Sequence, residues 1–250
     1  MKKKLKIVGV IPARYGSSRF RGKILADICG KSMLERVYEL SIQSELLDDL
    51  YIATDDENVK AAAESFGAKA VMTGINHQSG TDRIAECIEN NPGDIIVNIQ
   101  GDQPLIDPKM IDEAVKPMLD NPEILMSTLK REIDEDEFDD TGVVKVVVDE
   151  NNFALYFSRS LIPYPRHNEG FKAYEHVGLY VYTRDFLLKL AKMPMTNLEK
   201  IESLEQLRVL EKGYKIYVAE TKTDKTAGIS VDTPEDLEKV VKILNSKTYK

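Results

Sequence analysis

The chain has 250 residues, 42% of them hydrophobic and 30% charged, with a formal net charge of -8. That balance fits one large soluble α/β domain, or one domain with an insertion, whose core needs neither a disulfide nor a metal to hold it. It argues against a general nucleic-acid binder, which carries a broad basic face.

The amino terminus, MKKKLKIVGVIPAR, imitates a signal peptide, but its apolar stretch covers only Ile7 to Ala13, interrupted by Pro12 and ended by Arg14. No run approaches the ~18 apolar residues of a membrane span. The two cysteines, Cys29 and Cys87, form no CxxC or metal-type pair and read as packed thiols. A cytoplasmic protein is expected.

Ile7 to Ile11 is a short continuous apolar run, the pattern of a strand covered on both faces. Ser32-Met-Leu-Glu35 reads as a capping box opening a helix through about Gln43. Leu50 to Ala53 predicts a second strand, ending at Thr54-Asp55, and Glu57 to Phe66 a second helix stopped by Gly67. Lys69 to Met72 is a third strand, Thr81 to Asn90 a third helix, and Asp94 to Ile99 a strongly apolar fourth strand. This β-α-β-α-β-α-β order predicts a parallel doubly wound sheet, in which ligands bind beyond the carboxyl ends of the strands.

The second half changes character. Leu125 to Lys130, Val143 to Val148 and Ala154 to Ser158 read as strands close together, and Glu132 to Asp140 as a solvated acidic loop. His176 to Tyr182 is another strand. Thr196-Asn-Leu-Glu199 caps a helix expected to run to Gly213, Lys215 to Ala219 follows as a strand, and Thr233-Pro-Glu-Asp236 caps the last helix. The expectation is a single domain, 1–250, in which about 125–185 forms a mixed-strand insertion.

Three segments after strands carry chemistry. In VIPARYGSSRFRGK, Val10 to Lys23, Gly16 and the small Ser17 and Ser18 let backbone N–H groups approach an anion, and Arg14 and Lys23 flank it with charge. The spacing is neither a Walker loop nor GxGxxG. Asp102, in Asn98-Ile-Gln-Gly-Asp-Gln-Pro104, follows the fourth strand and suits a one-carboxylate magnesium ligand; a structural turn before Pro104 is the alternative. Asp232 precedes a capped helix, as a second metal ligand or as part of the helix start.

The ordered motifs IPARYGSSR…GK, HQSGTDR, IVNIQGDQP, VKVVVDENNFALYFSRSLIP, HVGLYVY, LEKIESLEQLRVLEKG and VDTPEDL, from Ile11 to about Leu237, resemble the CMP-Kdo synthetases, the 3-deoxy-manno-octulosonate cytidylyltransferases. The resemblance implies a Rossmann-like nucleotide-diphospho-sugar transferase fold, an α/β architecture with a mostly parallel central sheet whose mixed-strand insertion serves dimerisation and the sugar site. It implies CTP and Kdo as substrates, Mg2+ as cofactor, a homodimer, and a product, CMP-Kdo, for lipopolysaccharide or capsule synthesis. On this likeness Pro12, Ala13, Arg14, Ser17 and Lys23 hold the triphosphate, Ser79, Gly80 and Arg83 line the nucleotide site near the cytosine, and Asp102 and Asp232 bind the metal. Arg14, Lys23, Asp102 and Asp232 are the expected catalytic set. Arg19, Gln100, Arg159, His176, Tyr180, Glu205 and Gln206 fall where the family surrounds the sugar acid, Gln100 serving the nucleotide as well. The chain departs from the usual RLPGKPL, QGDEP and GVDTPEDL at Phe20, Arg21 and Ile24, at Gln103 and at Ser230. A cytidylyltransferase for 8-amino-Kdo or a sialic-type acid is one alternative. A glycosyltransferase is another, although Asp102-Gln-Pro104 stands where such enzymes often carry Asp-x-Asp. No Ser/His/Asp triad or cysteine nucleophile is suggested, so no covalent intermediate is expected.

Overall fold

The structure is a computed structural model that describes residues 4–16, 20–77, 79–167 and 169–248. The chain divides into two compact units, Met1–Asp112 with Thr223–Lys250, and Glu113–Lys222.

In the first unit, β1 (Ile7–Ala13) is flanked on both sides, which explains its unbroken apolar run: Ile7, Val8, Val10, Ile11 and Ala13 are all buried. A two-residue hairpin, β2 (Asp27–Ile28) and β3 (Lys31–Ser32), leads into α1 (Met33–Ser41), where Ser32 accepts the Glu35 N–H as the capping pattern predicts. β4 (Asp49–Thr54), α2 (Glu57–Ser65), β5 (Lys69–Met72), α3 (Gly80–Asn90) and β6 (Ile95–Asn98) follow in the predicted order. The strands pair in parallel as β5-β4-β1-β6. The chain moves outward from β1 through β4 to β5, then returns to the other side of β1 as β6. The carboxyl ends of β1 and β6 therefore flank a topological switch point, where open α/β sheets place their ligands.

The helix α4 (Pro108–Asp120) was not expected from the sequence; it opens on Pro108 and carries Pro117 inside it. The boundary between the units falls within it.

The second unit is built on mixed strands, as expected. β7 (Met126–Glu132), β8 (Lys145–Val148), β9 (Ala154–Ser158) and β10 (Tyr174–Thr183) precede α5 (Arg184–Leu190), α6 (Asn197–Glu202), α7 (Gln206–Glu211) and β11 (Tyr217–Glu220). β7 pairs parallel with β11 and antiparallel with β10, and β8 pairs antiparallel with β10 and β9. The β7/β10 register slips between Val177 and Tyr180, leaving a bulge in β10.

The acidic loop holds a 3-10 turn, Glu135–Glu137, closed by a reciprocal cap at Asp134. The single helix expected up to Gly213 is corrected to two: Ser203 is left-handed (φ 53), and α6 ends there. The buried Arg208–Glu199 ion pair joins the two pieces, with Arg208 Nε 2.8 Å from Glu199 Oε2. The closing helix, α8 (Pro234–Thr248), belongs to the first unit.

Candidate functional site

Ala13 is the last residue of β1 and is buried there, while the chain beyond it turns over the switch point. Gly22, left-handed at φ 73, lets the loop fold back so that its N–H donates to the Tyr15 carbonyl, and the 3-10 turn Lys23–Leu25 begins. The loop after β6 approaches from the other side. At Gly101 any Cβ would come within 2.9 Å of Ile24 Cδ1 and 3.2 Å of the Pro12 carbonyl oxygen, so glycine permits the approach. Between them lies a cleft of about 340 Å3, lined among others by Pro12, Arg14, Lys23, Gly80, Gln100 and Asp102.

One cation organises this cleft. Lys23 Nζ lies 2.9 Å from Asp102 Oδ2, 2.9 Å from Asp232 Oδ1 and 2.9 Å from the Val231 carbonyl oxygen. Burial alone would lower the Lys23 pKa, but Asp102 and Asp232 outweigh it and the pKa is raised, keeping the ammonium charged. Asp232 is placed by the start of α8: Asp236 Oδ2 accepts the N–H groups of Asp232 and Thr233, and Thr233 Oγ1 accepts the Asp236 N–H. Asp102 is tied to the same segment by its carbonyl, which accepts the Val231 N–H at 2.8 Å. Two carboxylates and a carbonyl thus converge on one cationic position. An all-oxygen donor set of this kind is chemically suited to a hard divalent ion, and in this structure it holds the Lys23 ammonium.

Arg14 lines the cleft with Nη2 buried and without a hydrogen-bond partner among the described residues. Burial, then the neighbouring Arg83, lower its pKa, while Asp55 and Asp82 oppose them. An unpartnered guanidinium nitrogen beside a cleft is a ready donor for an anion. Gly80, the first residue of α3, brings the positive end of that helix to the same wall. The Ser79 hydroxyl is engaged in capping, accepting the Asp82 N–H while Asp82 accepts the Ser79 N–H. Gln100 donates to Asn98 Oδ1 at 3.1 Å.

Arg83 is placed differently from a base-lining residue. Its side chain is fully buried, Nη2 contacts Asp55 Oδ2 at 2.7 Å and Nη1 contacts Thr73 Oγ1. It locks the ends of β4 and β5 beneath Arg14's charge. Asp55 and Thr73 were not singled out as its partners from sequence, although both follow strand ends. Ser17 and Arg19 lie outside the described residues.

In the second unit, His176, Tyr180 and Gln206 do come together. Tyr180 OH donates to Gln206 Oε1 at 3.2 Å, Gln206 Nε2 lies 3.5 Å from His176 Nδ1, and Thr128 Oγ1 lies 3.0 Å from His176 Nε2. The imidazole stands between the rings of Phe157 and Tyr180, with centroids at 5.0 and 5.3 Å. Burial pushes its pKa down to about 3, and burial, Tyr182 and Glu205 raise that of Tyr180. His176 is therefore a neutral ring at physiological pH. Arg159 is held elsewhere in the unit: Nε donates to the Glu202 carbonyl and Nη1 to the Thr141 carbonyl, each at 2.9 Å. Glu205 precedes Gln206 at the start of α7.

Comparison with known proteins gives consistent results. The sequence profile of a family described as cytidylyltransferase matches residues 8–216. A 3-deoxy-manno-octulosonate cytidylyltransferase from Geotalea uraniireducens (strain Rf4) is 51% identical, covering 96% of this chain and 99% of its own. One from Fusobacterium nucleatum subsp. nucleatum is 47% identical over 98% of this chain and 100% of its own. A solved CMP:2-keto-3-deoxy-manno-octonic acid synthetase, in complex with CTP, superposes with a TM-score of 0.92 at 44% identity, covering 97% of this chain and 99% of its own. A cytidylyltransferase from Leptospira borgpetersenii, at 18% identity and TM-score 0.64 (98% and 96% covered), shares the fold.

Proposed function

This chain belongs to the cytidylyltransferase family and, within it, to the 3-deoxy-manno-octulosonate cytidylyltransferases, and from that premise we propose that it transfers the CMP group of CTP to Kdo, giving CMP-Kdo and pyrophosphate. The observation that carries this reading is one cleft at the switch point lined by Arg14, Lys23 and Asp102, with Asp232 joined to it through Lys23 and with Arg14 Nη2 lacking a hydrogen-bond partner among the described residues.

The anomeric hydroxyl oxygen of the sugar forms a bond to the α-phosphorus, its proton passes to solvent, the bond from that phosphorus to the β-bridging oxygen breaks, and pyrophosphate departs with that electron pair. Little covalent work falls to the protein; positioning and charge neutralisation carry the rate. Arg14 supplies a bidentate-capable donor to the phosphates, and the Gly80 end of α3 adds a positive field on the same side. Asp102 and Asp232 are the residues that would hold Mg2+, and their oxygen donors fit it. Bound there, the ion would neutralise phosphate charge and acidify the sugar hydroxyl. Lys23 lines the same cleft and supplies a further positive charge for the triphosphate. His176, its pKa pushed down to about 3 by burial, is too weakly basic to act as the general base. Homodimer formation, a cytoplasmic setting and a role in supplying lipopolysaccharide or capsule belong to the same proposal; no helix among the described residues is long and apolar enough to cross a membrane.

The test is a matrix of nucleoside triphosphates against sugar acids, read by pyrophosphate release. CTP with Kdo is expected to dominate. A stronger response to 8-amino-Kdo or a sialic acid would move the sugar assignment, and release of CMP or UDP from a nucleotide sugar would overturn nucleotidyl transfer.

A further inference from the structure

Thr128 lies opposite Tyr180 in the β7/β10 ladder, at the edge of the bulge that leaves Gly178 and Leu179 outside the regular register. Its hydroxyl has one proton and three neighbours: the Leu179 carbonyl at 2.8 Å, the Val177 carbonyl at 3.2 Å and His176 Nε2 at 3.0 Å. A carbonyl oxygen can only accept, so the hydroxyl proton is directed to the bulge, and Oγ1 is left to accept from His176 Nε2–H. With one proton on the neutral ring, Nδ1 becomes an acceptor. It faces Gln206 Nε2 at 3.5 Å, which turns the other end of that amide, Oε1, toward the Tyr180 hydroxyl at 3.2 Å. The donors therefore run in one direction: Tyr180 to Gln206, Gln206 to His176, His176 to Thr128, Thr128 to the bulge. The Tyr180 proton is engaged by Gln206, so any further hydrogen bond its oxygen makes is as an acceptor.

We infer that Thr128 and His176 are positioning residues that polarise this chain through the β10 bulge, so that Tyr180 presents a hydrogen-bond acceptor to a hydroxyl of the sugar acid rather than a donor to its carboxylate. The specificity of this end of the sugar site is then set by a buried threonine that touches no substrate. A hydrogen-bonded relay of this kind gains from mutual polarisation and from having each member satisfied, so one broken link disturbs the others. The sugar part of the inference rests on the CMP-Kdo reading above; the tautomer does not.

Two measurements test it. In the unliganded protein, nitrogen-15 spectra of the His176 ring, assigned by comparison with His176→Gln, are expected to show Nε2 protonated and Nδ1 bare from pH 5 to pH 9. An Nδ1–H tautomer, or an imidazolium in that range, would overturn the chain's direction whatever the substrate. In kinetics, Thr128→Val removes the acceptor while keeping the shape, and Thr128→Ser restores it. The Kdo KM of Thr128→Val should rise about tenfold, as for loss of one well-placed hydrogen bond, with the CTP KM within twofold and Thr128→Ser close to wild type. An unchanged Kdo KM, or a parallel rise in both KM values, would reduce Thr128 to a packing residue. If the substrate matrix selects another sugar acid, the CMP-Kdo reading fails there, and the same KM comparison is made with that acid.

Discussion

Removing the titratable ring at position 176 should flatten the acid limb of the stability curve. Burial holds the His176 pKa at about 3 in the folded state, against 6.5 for an ordinary imidazole. The unfolded chain therefore binds one more proton than the folded chain between these values. By linkage, the His176 contribution is complete above pH 6.5 and is lost as the pH falls from there toward 3. Part of the residue's surface meets solvent, so the comparison is best made at pH 5, where the result is insensitive to how low the folded value lies. Any folded pKa below about 4.5 gives about 1.5–2 kcal/mol lost between pH 7 and pH 5. The assay is urea unfolding of wild type and His176→Gln at both pH values, with stability taken from linear extrapolation. The variant is less stable at pH 7, having lost the contacts to Thr128 and Gln206, but its loss on going to pH 5 should be smaller than that of wild type by about 1.5–2 kcal/mol. All other ionisable groups are common to the two proteins, so their contributions cancel in the comparison. Equal losses in the two proteins would refute the claim that the folded imidazole is held neutral.

Three further substitutions probe the first unit. Asp232→Asn should cut pyrophosphate release at least about 100-fold while circular dichroism stays unchanged; near-normal turnover across a magnesium titration would remove Asp232 from the metal set. Lys23→Met leaves two carboxylates facing each other, with Asp102 and Asp232 27% and 35% exposed. The cost to the unliganded protein should be about 1–2 kcal/mol, less than the roughly 3–5 kcal/mol of a fully buried pair. Manganese alone should bind the variant more tightly than wild type, and unchanged manganese affinity would argue against Lys23 occupying the ion's place. Arg83→Met, which strands Asp55 beneath the sheet ends, should lower stability by about 2–4 kcal/mol; an unchanged urea midpoint would mean that Asp55 finds another partner.

The parallel strands and helices of the first hundred residues were legible because β1, β4 and β6 are largely buried apolar runs and each helix start carries a side-chain cap, at Ser32 and Ser79 for example. That Asp102 and Asp232 lie close together was legible from their places at element ends, whereas Lys23, expected at the phosphates, is found between them. Other features depend on contacts that sequence spacing does not carry. The α4 helix hides behind Pro117, and α5 is a single short piece capped by Thr183 directly after β10. Propensity reads IESLEQL as helix, yet Ser203 turns left-handed and Glu199 reaches across the break to Arg208. The burial of Arg83 and its bonds to Asp55 and Thr73 cannot be read from HQSGTDR alone. Thr128 carried no signal, being an ordinary strand residue until the bulge in β10 brings two carbonyls to its hydroxyl.

The Lys23 cluster also has a schedule. Lys23 and Asp102 are 79 residues apart, whereas Lys23 and Asp232 are 209 apart, because the first unit is interrupted by the whole of the second. Synthesis proceeds from the amino terminus at roughly 5–20 residues per second. A nascent chain can therefore form the β5-β4-β1-β6 sheet, and bring Lys23 to Asp102, well before residue 232 has been made. During that interval the ammonium faces one carboxylate instead of two, and the Val231 carbonyl is missing as well. The Asp102 half of the cluster is early and the Asp232 half is late, so the carboxylate pair around Lys23 is completed only when the start of α8 closes onto a sheet that already exists.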